Sequence, residues 1–111
     1  SKIRRVRNCE TWVISHIKEM GEKALKMISL SITSLRTHDS QLAEKVAQME
    51  KEVDEMYFDF LDKLIEKANI TIKCAVSSIL IVRYLERIAD HATYICESII
   101  YIVTGQKVIL R

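Results

Sequence analysis

The sequence predicts an all-α fold: an elongated antiparallel up-down-up bundle of three helices. Three observations carry that prediction. There is no proline in 111 residues, and glycine occurs only at positions 21 and 105, so little interrupts a helix. Apolar residues recur three and four apart through three long stretches, the period of one helix face. Two short polar breaks separate the stretches, and short connections make consecutive helices antiparallel neighbours. With 49% apolar and 29% charged residues, the composition is that of a globular protein with a single core.

Residues 1–7 read as a basic tail, because Lys2, Arg4, Arg5 and Arg7 fall there. A solubilising end or a linker explains them, and no nucleic-acid-reading motif accompanies them, so no direct nucleic-acid contact is expected. One domain is expected over residues 8–111. Its first helix should span about 8–36, with a stripe of Trp12, Val13, Ile17, Met20, Ala24, Ile28, Ser31, Ile32 and Leu35. Gly21 weakens the helix interior by about 1 kcal/mol relative to alanine and suggests a close helix contact. His16, near the stripe, reads as a solvated or core-edge histidine. Residues 37–40 break the pattern, with Asp39 or Ser40 as the cap of the next helix.

The second helix should span about 41–67. Val46, Met49, Val53, Tyr57, Phe60 and Leu64 form its buried face, while Lys45, Glu52, Glu55, Asp59, Asp62 and Glu66 face water. The second break, at 69–71, has neither glycine nor proline, and Asn69 is expected to take the left-handed conformation of a helix end. The third helix, about 71–104, should end on Gly105 as a left-handed cap. It is apolar around much of its circumference, through Ile79, Leu80, Val82, Leu85, Ile88, Ala92, Ile95, Ile99, Ile102 and Val103. Such a helix must bury more than one side, against its two sisters and another subunit.

Cys9, Cys74 and Cys96 are odd in number and lack any C-x-x-C spacing. They read as small core residues in a reducing compartment, which leaves no cysteine zinc site. No signal-peptide pattern is visible, and the longest uncharged run of the third helix, 74–82, is too short to span a bilayer. A cytoplasmic location follows as the expectation. The chain starts at Ser1 without methionine, which fits a piece of a longer protein.

The chemistry-bearing pattern is two pairs of carboxylates at i, i+4: Glu50 with Asp54, and Glu86 with Asp90. That spacing puts both members of a pair on one helix face, about one turn apart. On a helical wheel Glu50 and Asp54 fall at the edge of the apolar stripe, away from the ordinary surface acids. Two readings fit. The acids form a salt-bridge lattice, with Arg83 reaching Glu86, or they converge on a hard cation that oxygen donors suit, magnesium, calcium, manganese or iron. His91 lies about 100° round the helix from Asp90 and need not share the site. A Glu-x-x-His di-iron motif, a glycine-rich phosphate loop and a nucleophile–base pair are all missing from the sequence, which disfavours catalysis. A di-iron oxidase and a histidine phosphotransfer bundle using His16, His38 or His91 are the enzyme readings set aside.

The stretch L-E-R-I-A-D-H-A-T-Y-I-C-E at 85–97, followed by S-I-I-Y-I-V-T-G-Q, resembles the signature of the PhoU family of phosphate-uptake regulators. M-E-K-E-V-D at 49–54 is similar to that family's other acidic motif, so the resemblance covers essentially the whole chain. Family members carry two tandem three-helix repeats, and this chain resembles one of them, the C-terminal. The resemblance implies a non-enzymatic, cytoplasmic regulator, peripheral at the inner face of the membrane, that restrains the phosphate ABC transporter and signals to its sensor histidine kinase. It implies Glu50, Asp54, Glu86 and Asp90 as ligands of a metal ion, iron, zinc, manganese or magnesium, with Arg83 and Glu97 in supporting or partner-facing places. Ala89 stands where relatives often have glycine, and Tyr94 where they often have asparagine, which bears on the nuclearity of such a site. A single repeat also implies that two chains pair as a homodimer. The competing reading is a plain helical interaction module without metal, part of a larger transport or transcription regulator.

Overall fold

The computed structural model describes residues 9–67 and 69–110. The basic tail expected at 1–7 lies outside the described residues. Three helices account for nearly all of the rest: α1 (Thr11–Thr37), α2 (Ser40–Glu66) and α3 (Ile72–Thr104). They pack in all three pairings as a rod of 52 × 23 × 16 Å. The predicted fold class is the observed one.

The turns follow from local chemistry. His38 ends α1 in the left-handed conformation at φ 56°, and its amide and that of Asp39 reach back to the carbonyls of Leu35 and Ser34. Asp39 then caps α2, its carboxylate accepting from the Leu42 amide at 3.0 Å, which satisfies one of the free donors of the first turn. Thr71 caps α3 in the same way, accepting from the Cys74 amide at 3.1 Å. Gly105 closes α3 at φ 75°. The expectation for Asn69 does not hold. The exit from α2 is made by Lys67 in an extended conformation, and His38 is the one non-glycine with positive φ among the described residues. A hydroxyl cap on the incoming helix and an extended residue suffice, so no left-handed residue is needed.

The interior is a column of Val13, Met20, Met27, Val46, Val53, Phe60, Val82, Cys96 and Ile99, each at most 1% exposed. Small hydroxyl residues let the backbones approach within it. Ser31, Ser78 and Thr93 are buried, and their hydroxyls donate to the carbonyls of Met27, Cys74 and Ala89 one turn back on the same helix. His16 is the core-edge histidine of the sequence reading. Its ring Nε2–H donates to the Met56 carbonyl at 2.7 Å, and the ring lies 5.1 Å from that of Phe60. Two of the α1 stripe residues are exposed: Ile32 and Leu35 are 50% and 46% exposed, because the stripe drifts away from the core along a straight helix.

The cysteines correct the sequence reading. Cys9 and Cys74 are joined by a disulfide with Cα atoms 5.5 Å apart, so they are not free core thiols and lend no support to the reducing compartment read from them. No local spacing signals this, because the bond spans a sequence separation of 65 residues and depends on α1 and α3 running parallel. Cys96 does match the reading. It is buried and free, and burial pushes its thiol above the usual range, with a hydrogen bond shared with Ser31 opposing that and Glu97 adding to it.

Replacing Cys9 by serine should remove about 4 kcal/mol of stability under non-reducing conditions, the chain-entropy value for a loop of this length. Thermal unfolding with and without dithiothreitol checks this: the wild-type midpoint should fall on reduction and that of Cys9→Ser should not. At Gly21 an added Cβ would meet only Leu85 Cδ1, at an ordinary contact distance of 4.0 Å. Gly21→Ala should therefore raise stability by up to about 1 kcal/mol in urea unfolding.

Candidate functional site

The two acidic pairs lie on adjacent helices at one level of the rod. Counted from the α2–α3 turn at 1.5 Å per residue, Glu50 and Asp54 stand roughly 18–24 Å along α2, and Glu86 and Asp90 roughly 21–27 Å along α3. Their sides are fixed by the contacts of their neighbours. Glu52 reaches Lys23 of α1 at 3.0 Å, so that side of α2 faces α1. Glu50 and Asp54 each lie about 160° away from Glu52 on the wheel, on the side of α3. Along α3, Leu85 lies against Gly21 of α1, and Glu86 and Asp90 lie about 100° and 140° round from it, past the buried Ala89 and Thr93. The four carboxylates thus border the seam between α2 and α3.

Their environment sets them apart from the other acids. Glu50, Asp54, Glu86 and Asp90 are all half-buried, whereas Glu52, Glu55, Asp59, Asp62 and Glu66 are exposed. The side chain of Glu86 is 12% exposed, and Arg83 Nη1 donates to its Oε2 at 3.0 Å. Arg83 is itself 55% exposed, so the arginine reaches from solvent over the edge of the seam. This is the i, i+3 pair of the salt-bridge reading. His91 is exposed, its ring Nδ1–H donating to the Arg87 carbonyl at 2.7 Å.

Among the described residues no group of three His, Cys, Asp or Glu side chains is placed to hold a metal ion. Glu86 is occupied by Arg83, and Glu50 and Asp90 have interactions of their own. The donors are of the right kind and at the right level, yet as they stand they do not close around an ion.

Glu97 has a role the sequence reading did not give it. The chain turns back after Gly105, and the Leu110 amide donates to Glu97 Oε1 at 3.1 Å. Val108 and Leu110 pack against the core, and Ile109 and Leu110 share a shallow cleft with Glu44, Ala47, Gln48 and Lys51 of α2. The returning segment therefore covers the α2–α3 seam about 10 Å beyond Asp90, two turns of helix. The signal in the sequence was V-I-L at 108–110, an apolar run after a helix stop, of which Val108 and Leu110 turn to the core while Ile109 stays 84% exposed.

A double-mutant cycle on Arg83→Ala and Glu86→Gln should give a coupling of about 0.5 kcal/mol, as for other helical ion pairs with one exposed partner. Urea unfolding at low and high salt measures it, and the coupling should shrink at high salt.

The family model for the PhoU domain matches residues 17–99. Among curated proteins, the chain is 30% identical over 102 residues to the phosphate-specific transport system accessory protein PhoU homolog of Clostridium acetobutylicum, covering 89% of this chain and 47% of that protein. It is 32% identical over 98 residues to the corresponding homolog 1 of Thermotoga maritima, covering 86% and 42%. With the Pseudomonas aeruginosa homolog it shares 34% over 95 residues, covering 83% and 39%. The chain thus spans less than half the length of these relatives. No solved structure matches it significantly.

Proposed function

The chain belongs to the PhoU domain family, and from that premise we propose that it is a regulatory module of phosphate uptake. It restrains a phosphate ABC transporter and the signalling of the transporter's sensor histidine kinase, and it does so by binding proteins, without catalysing a reaction. The observation that carries this is the PhoU-domain match over 17–99, which contains both acidic pairs. The names of the relatives, accessory proteins of a phosphate-specific transport system, support the transporter as partner. Among the described residues no helix is long and apolar enough to cross a membrane, and we place the protein in the cytoplasm, at the inner face of the membrane when bound to its transporter. We further propose that it works as a homodimer.

Metal binding is a separable part of the proposal. Glu50, Asp54, Glu86 and Asp90 supply half-buried oxygen donors at one level of the α2–α3 seam, the donor type a hard cation takes. Iron, zinc, manganese or magnesium would be held there once Arg83 releases Glu86. A second reading is favoured by the Arg83–Glu86 pair and the lack of a three-donor group among the described residues. In that reading the acids are a structural salt-bridge edge of a helical interaction module.

Two measurements separate these readings. A strain lacking the chromosomal copy should show raised phosphate-transporter expression in phosphate-rich medium, and expression of the protein should restore repression. Unchanged expression on deletion would sink the regulatory reading. Metal analysis after loading should find bound ion in the wild type and little in Asp54→Asn/Asp90→Asn at equal helicity. A melting temperature indifferent to metal and chelator would favour the salt-bridge reading, since a ligand of the native state must stabilise it.

A further inference from the structure

We propose that the groove between α1 and α3, on the side of α3 away from the acids, is the surface on which a second copy of this chain docks. The inference rests on the homodimer reading above and adds the face and its geometry.

The register of the groove is fixed by three contacts. Cys9 is bonded to Cys74 and Ser31 Oγ lies 3.5 Å from Cys96 Sγ, each pair 65 residues apart, while Gly21 lies against Leu85. α1 and α3 therefore run parallel and in step along their whole shared length. Along the outer edge of α3, isoleucines stand at 81, 88, 95 and 102, a strict interval of seven. Along the facing edge of α1, Leu25 and Ile32 keep the same interval and fall level with Ile88 and Ile95. The wheel puts them on one side of the seam: Ile88 and Ile95 lie about 60–80° outward from Leu85, and Leu25 and Ile32 about 20–40° outward from Gly21.

This edge is exposed. Leu25 is 69%, Ile32 50%, Ile88 37%, Ile95 40% and Ile102 62% exposed. Together they leave several hundred Å² of apolar side chain in water, on the order of the ~800 Å² that each partner contributes to a stable interface, and large for the surface of a monomer. The chemistry of the occupant follows from the pattern. A seven-residue interval stays on one side only when a long helix packs along it at a shallow left-handed crossing. No rung of the ladder carries a charge, so the incoming face is apolar. The helix on the page with that face and length is α3 itself. Two copies related by a twofold axis between Ile88 and Ile95 bring each ladder against the other in antiparallel sense, a self-complementary contact.

Sedimentation equilibrium over a concentration series tests this on the full chain. Leu25→Glu and Ile102→Glu alter the two most exposed positions of the groove, so helicity by circular dichroism should be unchanged. Each should weaken dimerisation by more than about tenfold, the effect of burying one unpaired charge. Ile65→Glu, at a residue 82% exposed at the far end of α2, should leave the dimer intact. A wild-type chain that stays monomeric at its solubility limit would overturn the homodimer reading and the docking face with it. A dimer that survives Leu25→Glu and Ile102→Glu would overturn the docking face alone.

Discussion

The constraint on which the rest of the structure depends is the two-sided burial of α3. This helix packs against both sisters, and its fully buried residues, Val82, Ala89, Ala92, Thr93, Cys96, Ile99 and Ile100, face a sector shared between them. The small members of that set let α1 and α2 approach α3 closely, and their hydroxyls are satisfied by α3's own carbonyls, so no polar cost accompanies the close packing. Once α3 is seated, its two edges are fixed. One carries Glu86, Asp90 and Glu97 toward α2, and the other carries the isoleucine ladder toward α1.

The acidic edge is a compromise between hydration and pairing. Half-burial removes water from the carboxylates, and Arg83 reaches over the rim to pair with Glu86. Such a pair adds little stability. The segment after Gly105 returns to the same seam and uses Glu97 as the acceptor for its Leu110 amide. The α2–α3 groove is therefore acidic at mid-height and closed by chain beyond it.

At the other end, the Cys9–Cys74 bond fastens the residues preceding α1 to the start of α3. It constrains the unfolded chain over a long loop and holds the α1–α3 pair in register from its first turn. That register is what aligns Leu25 with Ile88 and Ile32 with Ile95, so the covalent staple and the apolar groove belong to one geometric arrangement.

The sequence by itself determined the fold class, the helix count, a capped break at 39–40, the cap at Gly105 and the family, because these depend on local chemistry: period, breakers, capping side chains and a contiguous motif. It also placed Glu50 and Asp54 apart from the solvent-facing acids of the second helix, since a wheel resolves the edge of a stripe. Only the tertiary structure decided which helix each edge faces, that Glu97 receives the returning chain and that Cys9 meets Cys74. Those relations join residues far apart in the sequence, and their distances follow from how α1, α2 and α3 are rotated and shifted against one another. No periodicity within a single helix encodes that rotation, so Ile32, Leu35, Ile88 and Ile95, apolar at helical spacing like their buried neighbours, became surface only when the bundle closed.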